Sequence, residues 1–391
     1  MIYFDNSATT KPCKEALDAM SEALSDCWGN PSSAHRVGLD AHAVMEDAAR
    51  TVGLTLGIKR STDGRVIFTS GGTEANNLAI LGTARAKQRP MKNGRRATVI
   101  ITEGEHSSVD ATADSLSKEG FLILKIPTKG GRLDLEWLRS NVTNDVVIAS
   151  IMLVNNETGA IYDVKSAAKI IKAASPSAVI HCDCVQAYMK MRFTPYDLGA
   201  DMVSVSAHKI FSAKGAGALA VTKNVLTSKN LSPVLFGGGQ EGGFRSGTEA
   251  VPAIAGFAAA AKLGAKELAM REAYASELSE YALEKLSKID GVRLNLPEKR
   301  LANILNLTVF NIKSETMLNY LSGEGICVSK SSACSTHSRG LSRALTAFGL
   351  SEEDTDSSIR ISFSHHNTKE EVDTFCKALE RGISLLAKIH K

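Results

Sequence analysis

The sequence predicts an α/β fold, with a mostly parallel seven-stranded sheet in a large domain and a smaller α+β domain behind it. Three observations carry this. Between residues 65 and 225, short apolar runs alternate with stretches of helical periodicity, the pattern of strands joined by crossover helices. The polar motifs fall just after those strands, where open parallel sheets bind ligands. From about residue 260 the texture changes to a long charged helix, short strands and a closing helix.

The strands are expected at 65–69, 97–102, 121–125, 146–150, 178–182 and 202–205, with 217–221 returning antiparallel. Each is a short, largely apolar run rich in Val and Ile, as a strand buried on both faces requires. Helices fill the gaps, the clearest at 74–85. Beyond them, 258–289 has apolar residues at helical spacing, strands are expected at 304–309 and 359–364, and a helix at 369–389. The 391 residues exceed one simple core. We expect a large domain over 16–260, and a small one formed by 1–15 together with 261–391.

Composition is that of an ordinary globular protein, 43% hydrophobic and 23% charged, which disfavours disorder. The net charge is +4 with basic residues dispersed, so neither a nucleic-acid surface nor a membrane surface is indicated. The most apolar run, 251–261, contains Pro252, ends at Lys262 and is too short to span a bilayer. No secretory signal is visible after Met1. The seven cysteines are odd in number and lack disulfide-framework spacing, which points to reduced thiols and a cytoplasmic setting.

Chemistry concentrates at two strand ends. Val203-Ser-Val-Ser-Ala-His-Lys209 ends an apolar strand in small residues and then a His–Lys pair, and Ala178-Val-Ile-His-Cys-Asp183 ends its neighbour in an acid. A lysine and a carboxylate on adjacent strand ends suit pyridoxal 5'-phosphate: the amine bonds the aldehyde and the acid pairs with the pyridinium nitrogen. Lys209 could instead be a surface lysine, although the apolar strand before it argues otherwise. Cys182 and Cys184 flank Asp183 and, at period two, face the opposite side of the sheet as small hydrophobes; no metal set is completed around them.

Other motifs are weaker alone. Thr69-Ser-Gly-Gly-Thr73-Glu74 joins a strand to a helix and forms either an anion site or a plain capped loop. Ser206 and His208 can reach a phosphate. His106, just past strand 97–102, is a cap residue or a ring that stacks on a cofactor. Asn155-Asn156-Glu157-Thr-Gly159 is a turn or an amide source. Phe236 to Thr248 is glycine-rich, a linker or a phosphate grip ending in Arg245-Ser-Gly-Thr248. Ser329 to Gly340 is small and polar, a mobile loop by composition; Cys334 within it has Lys330, His337 and Arg339 as neighbours, which favour thiolate. Arg360 suits bidentate capture of a carboxylate.

Together these residues resemble the cysteine desulfurases of the NifS/IscS type, fold-type I pyridoxal-phosphate enzymes of the class V aminotransferase group. The resemblance runs from Tyr3-Phe-Asp-Asn-Ser-Ala-Thr-Thr10 through Gly29-Asn-Pro-Ser-Ser33 to Arg360, and its specificity lies in the combination of motifs. It implies that Lys209 bonds the cofactor and moves the α-proton, that Asp183 pairs with the ring nitrogen, and that Gln186 bonds the phenolic oxygen. It implies that His106 stacks on the ring and that Gly72, Thr73, Ser206 and His208 hold the phosphate, with Thr248 coming from the partner subunit of a homodimer. Asn156 and Arg360 then grip the carboxylate of L-cysteine, and Cys334 takes the sulfur as a persulfide. The persulfide passes to an acceptor protein, a scaffold for iron–sulfur cluster assembly or a sulfurtransferase for tRNA thiolation.

Three departures from the family pattern matter. Ser212-Ala213 stands where many relatives have Gly-Pro, the Cys334 loop is full length, like members with a long mobile loop rather than a short one, and the chain ends soon after 369–389, without the tail of scaffold-binding members, which favours a dedicated acceptor. The rival activities are selenocysteine lyase and class V aminotransferase; the second needs no mobile thiol. A nucleotide-binding protein is disfavoured because no Gly-x-Gly-x-x-Gly follows a first strand.

Overall fold

The computed structural model describes residues 1–88, 96–330 and 341–386. The chain opens with a two-residue strand, β1 (Ile2–Tyr3), then helices α1 (Lys14–Ser25) and α2 (Arg36–Thr55). The main sheet comprises β2 (Gly64–Thr69), β3 (Thr98–Thr102), β4 (Leu122–Ile126), β5 (Val146–Ser150), β6 (Val179–Asp183), β7 (Met202–Ser206) and β8 (Gly217–Thr222). Its order is β2-β8-β7-β6-β5-β3-β4. The neighbours from β7 to β4 are parallel, and β8 runs antiparallel to both β7 and β2. The expected antiparallel return at 217–221 is therefore present. Observed boundaries lie within one or two residues of those read from the sequence.

Both faces of this sheet are covered. Val179, Met202, Ile67, Val99 and Ile101 pack beneath α3 (Gly72–Ala86) and α4 (Ser107–Lys118). Ile180, Cys182, Val203 and Val205 face the other way, into a core shared with α2 and with the long helix Val251–Leu286. The cysteine pair does face away from Asp183, and both thiols are buried and free.

The long helix begins seven residues before its charged, periodic part, because Pro252 lies in the first turn, where a missing N–H costs nothing. Its first half, including Ile254, Phe257 and Ala261, packs with the seven-stranded sheet. Its second half, with Leu278, Ala282 and Leu286, belongs to a separate apolar cluster. The residue-260 division thus falls inside one continuous helix.

That second cluster lies on a four-stranded antiparallel sheet, β9 (Val292–Leu294), β10 (Ile304–Val309), β12 (Ser329–Lys330) and β13 (Ser358–Ser362), in the order β12-β13-β10-β9. The C-terminal helix Lys369–Leu386 covers it through Val372, Phe375 and Leu379. The first strand joins this unit: β1 pairs in parallel with β11 (Ile326–Cys327). Phe4 is fully buried there, edge-on to Phe363 at 5.1 Å and Phe375 at 5.8 Å. Among the described residues no helix is long and apolar enough to cross a membrane.

Phe4→Ala removes a fully buried ring from this aromatic group and leaves a cavity between Phe363 and Phe375. The expected loss is about 3–5 kcal/mol of unfolding free energy, read from denaturant melts. A loss under ~1 kcal/mol would mean that the N-terminal strand does not anchor this core.

Candidate active site

The cleft forms where β6 and β7 end side by side. Asp183 pairs in register with Ser204, so an acid at the tip of β6 lies beside the loop that follows β7. That loop is a single tight turn, Ala207–Lys209, closed by the Ile210 and Ser212 N–H groups donating to the Ala207 carbonyl. Phe211 adopts φ 71°, an uncommon conformation for a bulky residue, and its ring packs against His365 and His366. The Ser212-Ala213 sequence therefore still supports an ordered turn.

Lys209 Nζ donates to the carbonyls of Ser7 at 2.5 Å and Ala8 at 2.7 Å. The N-terminal segment thus crosses directly over the lysine. It is fixed there by Thr10, whose N–H and hydroxyl both reach the His208 carbonyl at 2.9 Å. The His208 ring contacts the Thr9 hydroxyl at 3.2 Å. Burial first, then the nearby lysines, pushes His208 down to about 4, so this imidazole is neutral at neutral pH.

Asp183 is 5% exposed. One carboxylate oxygen accepts from the Val185 N–H at 2.9 Å and the other from Asn76 Nδ2 at 2.7 Å. Asn76 Nδ2 also donates to Ser108 Oγ at 2.9 Å, and Ser108 Oγ lies 2.8 Å from His106 Nδ1. Since the amide nitrogen only donates, the serine hydrogen points at Nδ1, and the imidazole hydrogen is assigned to Nε2. His106 is at once the N-cap of α4 and a member of the Asp183 network. Neither Asn76 nor Ser108 was singled out from the sequence. The available signal was a polar residue on the inward, apolar stripe of a helix.

The helix that supplies Asn76 brings its N-terminus against Ser206. Gly72 is needed for this approach, because a Cβ there would stand 2.7 Å from Val185 Cγ2. Thr73 in the first turn is exposed, and Ser206 Oγ is buried without a hydrogen-bond partner. Unpaired helix N–H groups, a buried hydroxyl and a close glycine make an anion pocket. Gln186, 5% exposed, donates from Nε2 to the Ser7 carbonyl at 3.0 Å and accepts from Lys190 at 3.1 Å.

On the opposite wall, Arg360 projects from β13 at 2% exposure. It donates to the Asn156 carbonyl at 2.7 Å and to Asp5 Oδ1 at 2.9 Å, while its buried Nε meets no acceptor. The turn is built by Asn155, whose side-chain oxygen takes the Glu157 and Thr158 N–H groups; the Asn156 side chain makes no such bonds. Glu157 accepts from Ser342 Oγ at 2.5 Å, and burial, opposed by this bond and by Arg360, pushes it up to about 7. Cys334 lies outside the described residues, as do His337 and Arg339. Its flanks are fixed on one side by β12, paired beside Arg360, and on the other by Ser342.

Thr248 is exposed, and among the described residues no side-chain hydrogen bond ties it to this cleft. The glycine-rich segment before it is ordered, with Gly239, Gly242, Gly243 and Gly247 all at positive φ. Arg245 bonds Glu74 at 2.7 Å, so it tethers α3 rather than waiting for an anion.

A family model described as aminotransferase class-V matches residues 2–375, and the chain belongs to that family. Within it, the chain falls in the cysteine desulfurase group: it is 36% identical over 383 residues to cysteine desulfurase IscS 1 of Archaeoglobus fulgidus, covering 97% of this chain and 96% of the relative. A solved NifS-like protein superposes with a TM-score of 0.89 at 35% identity, covering 98% of this chain and 99% of that one. A second, described as SspA in complex with cysteine, has a TM-score of 0.78 at 28% identity and covers 94% of this chain and all, 100%, of that one.

Beneath the cleft, Glu105 accepts from Thr102 Oγ1 and the Met152 N–H, while its second oxygen has no partner. Burial chiefly, with Asp183 adding to it, raises its pKa to about 8. Between pH 4.5 and 8 the unfolded chain has lost this proton and the folded chain keeps it, so stability falls as pH rises, by at most about 1.4 kcal/mol per pH unit. Glu105→Gln keeps the neutral shape and should match wild type at pH 4 and exceed it at pH 8 in denaturant melts. Identical stability differences at the two pH values would show that Glu105 is ionised in the fold.

Proposed function

We propose that this protein is a pyridoxal-phosphate-dependent cysteine desulfurase that releases L-alanine from L-cysteine and carries the sulfur on Cys334. The observation that carries the proposal is Lys209 and Asp183 at the ends of adjacent strands, beside an anion pocket with an unpartnered buried hydroxyl. The relatives named cysteine desulfurase and the cysteine-bound neighbour support the substrate.

The residues fit the cofactor. Lys209 would bond its aldehyde and Asp183 its ring nitrogen. Gln186 would hold its phenolic oxygen and His106 its ring face. Gly72, Thr73, Ser206 and His208 would hold its phosphate, joined by Thr248 from a partner subunit. When bound, pyridoxal phosphate supplies an electron sink for the pair left at the substrate α-carbon as its proton departs.

The chain's own groups do the rest. Asn76 and the Val185 N–H donate to the Asp183 carboxylate and fix its orientation, and a carboxylate there would favour a protonated ring nitrogen. Lys209, once displaced by substrate, has an amine to take and return the α-proton. Arg360 Nε offers a buried donor to the substrate carboxylate, and the backbone of Asn156, whose carbonyl Arg360 already bonds, brings that residue's amide to the same wall. The Cys334 thiolate attacks the substrate sulfur. A sulfur–sulfur bond forms, the carbon–sulfur bond breaks with its electron pair on carbon, and that carbon takes a proton to become the methyl of alanine. Thiol plus cysteine thus gives persulfide plus alanine, with no external oxidant. The persulfide then passes to an acceptor protein.

Lys209→Ala should lose the visible absorption and the borohydride-fixed cofactor. Covalent cofactor on another lysine would sink the assignment. Cys334→Ser should still bind cofactor and cysteine, yet its alanine release should fall by at least about 10²-fold, because a hydroxyl is a poor nucleophile towards sulfur. Peptide mass spectrometry after incubation with cysteine should find the extra sulfur on Cys334 in wild type; finding it on Cys327 instead would refute the mechanism.

A further inference from the structure

Resting on the pyridoxal-phosphate reading above, we infer that Lys190 is a positioning residue of this cleft. Its ammonium group sets the orientation of the Gln186 amide and places a positive charge behind the cofactor's phenolic oxygen.

The backbone gives Lys190 little choice of direction. It lies in the turn that follows β6, where the Ala187 and Tyr188 N–H groups donate to the Cys184 carbonyl. Tyr188 is fully buried, its hydroxyl 2.5 Å from Thr55 Oγ1 and its ring edge-on to Phe257 at 6.2 Å. Met189 takes φ 56° and packs on Gly264 of the long helix, where a Cβ would stand 2.9 Å from Met189 Cγ. The turn is thus pinned on two sides. Lys190, which follows, reaches back over one turn to Gln186 Oε1 at 3.1 Å.

That contact settles which way the amide faces. An ammonium group only donates, so the amide oxygen must face Lys190. The Ser7 carbonyl only accepts, so the amide nitrogen must face it, at 3.0 Å. One amide hydrogen is used there, and the second has no protein acceptor among the described residues. Lys209 Nζ donates to the same Ser7 oxygen. The Gln186 amide nitrogen and the Lys209 amine therefore converge on one oxygen, and the nitrogen keeps a second hydrogen beside it. In pyridoxal phosphate the phenolic oxygen is on the ring carbon next to the one bearing the aldehyde, so a donor beside Lys209 addresses that oxygen. A flipped amide would present its own oxygen and repel it.

The charge is placed at some cost. Burial first, then Lys209 and Arg360, pushes Lys190 down to about 7. The titratable and charged groups around it are Lys209 and His208 from the loop after β7, and Arg360 from β13 with its partner Asp5. Because its pKa is lowered, the ammonium is present on the acid side of neutrality and is lost as pH rises through about 7. Its influence on the bound cofactor should fade over the same range.

The test uses the full chain loaded with pyridoxal phosphate and follows visible absorption against pH. A positive charge behind the phenolic oxygen favours its ionised form and lowers the pH midpoint of the colour change. Lys190→Met and Lys190→Gln should both raise that midpoint by about one pH unit, and Lys190→Arg should restore it. If Lys190 acts through Gln186, then Lys190→Met added to Gln186→Ala should shift the midpoint no further. Two amide and apolar replacements are used so that a folding defect in one leaves the other to decide, with far-ultraviolet circular dichroism as the check. An unchanged midpoint in a folded Lys190→Gln, or an undiminished shift in the Gln186→Ala background, would overturn the role. Wild type that takes up no cofactor would overturn the cofactor reading itself, a result distinct from a normal wild-type spectrum with no effect at Lys190.

Discussion

The cleft depends on one short stretch of backbone, Asp5 to Thr10, which turns at residues 6–8 where the Ala8 N–H donates to the Asp5 carbonyl. Its carbonyls at Ser7 and Ala8 receive the Lys209 amine, and Ser7 also receives Gln186. Its Asp5 carboxylate receives Arg360 and Ser329. Its Asn6 and Ser7 N–H groups are tied to Ser362 on β13. Residues from the seven-stranded sheet and from the four-stranded sheet are thus referenced to the same six residues. Such a strap holds only if its own ends are fixed. Phe4, locked between two aromatic rings, and Thr10, bonded to the His208 carbonyl, fix them.

A second constraint is electrostatic. Asp183, Glu105, Glu157, Lys190 and Arg360 are gathered in and under one cleft, and desolvation opposes the charge of each. The structure resolves this unequally. Asp183 accepts from two N–H donors, and Arg360 reaches two acceptors. Glu105 and Glu157 are instead pushed towards their neutral forms, to about 8 and about 7. The acids of the cleft thus differ in environment: Asp183 accepts two N–H hydrogen bonds, while burial favours the protonated forms of Glu105 and Glu157. Partitioning carboxyl groups by environment in this way is a common route to assigning distinct roles to chemically similar side chains.

Much of this was legible in the sequence. Strand–helix alternation is written in local periodicity, so the seven strands and the antiparallel return of β8 could be read to within a residue or two. Lys209, Asp183, Ser206 and His208 could be singled out because parallel strands put their ends at one edge, whereas Gln186 came only with the family resemblance. The resemblance to cysteine desulfurases rests on the same positions, and the family comparison agrees with it over residues 2–375.

What tertiary structure decided are the contacts between segments distant in the chain. Nothing local in Asn76 announces that it will bridge Asp183 and Ser108, since that depends on how α3 sits over β6. Nothing in Arg245 distinguishes a phosphate grip from a tether to Glu74. The turn at Lys190 depends on a pocket made by Thr55, Phe257 and Gly264, two of them on a helix that the sequence reading started at residue 258 and that begins at Val251. The sequence by itself determined which residue types stand at the strand ends, because that follows from periods of 2 and 3.6 residues. Only the packed structure decided their partners, because hydrogen bonds and desolvation depend on distance in space.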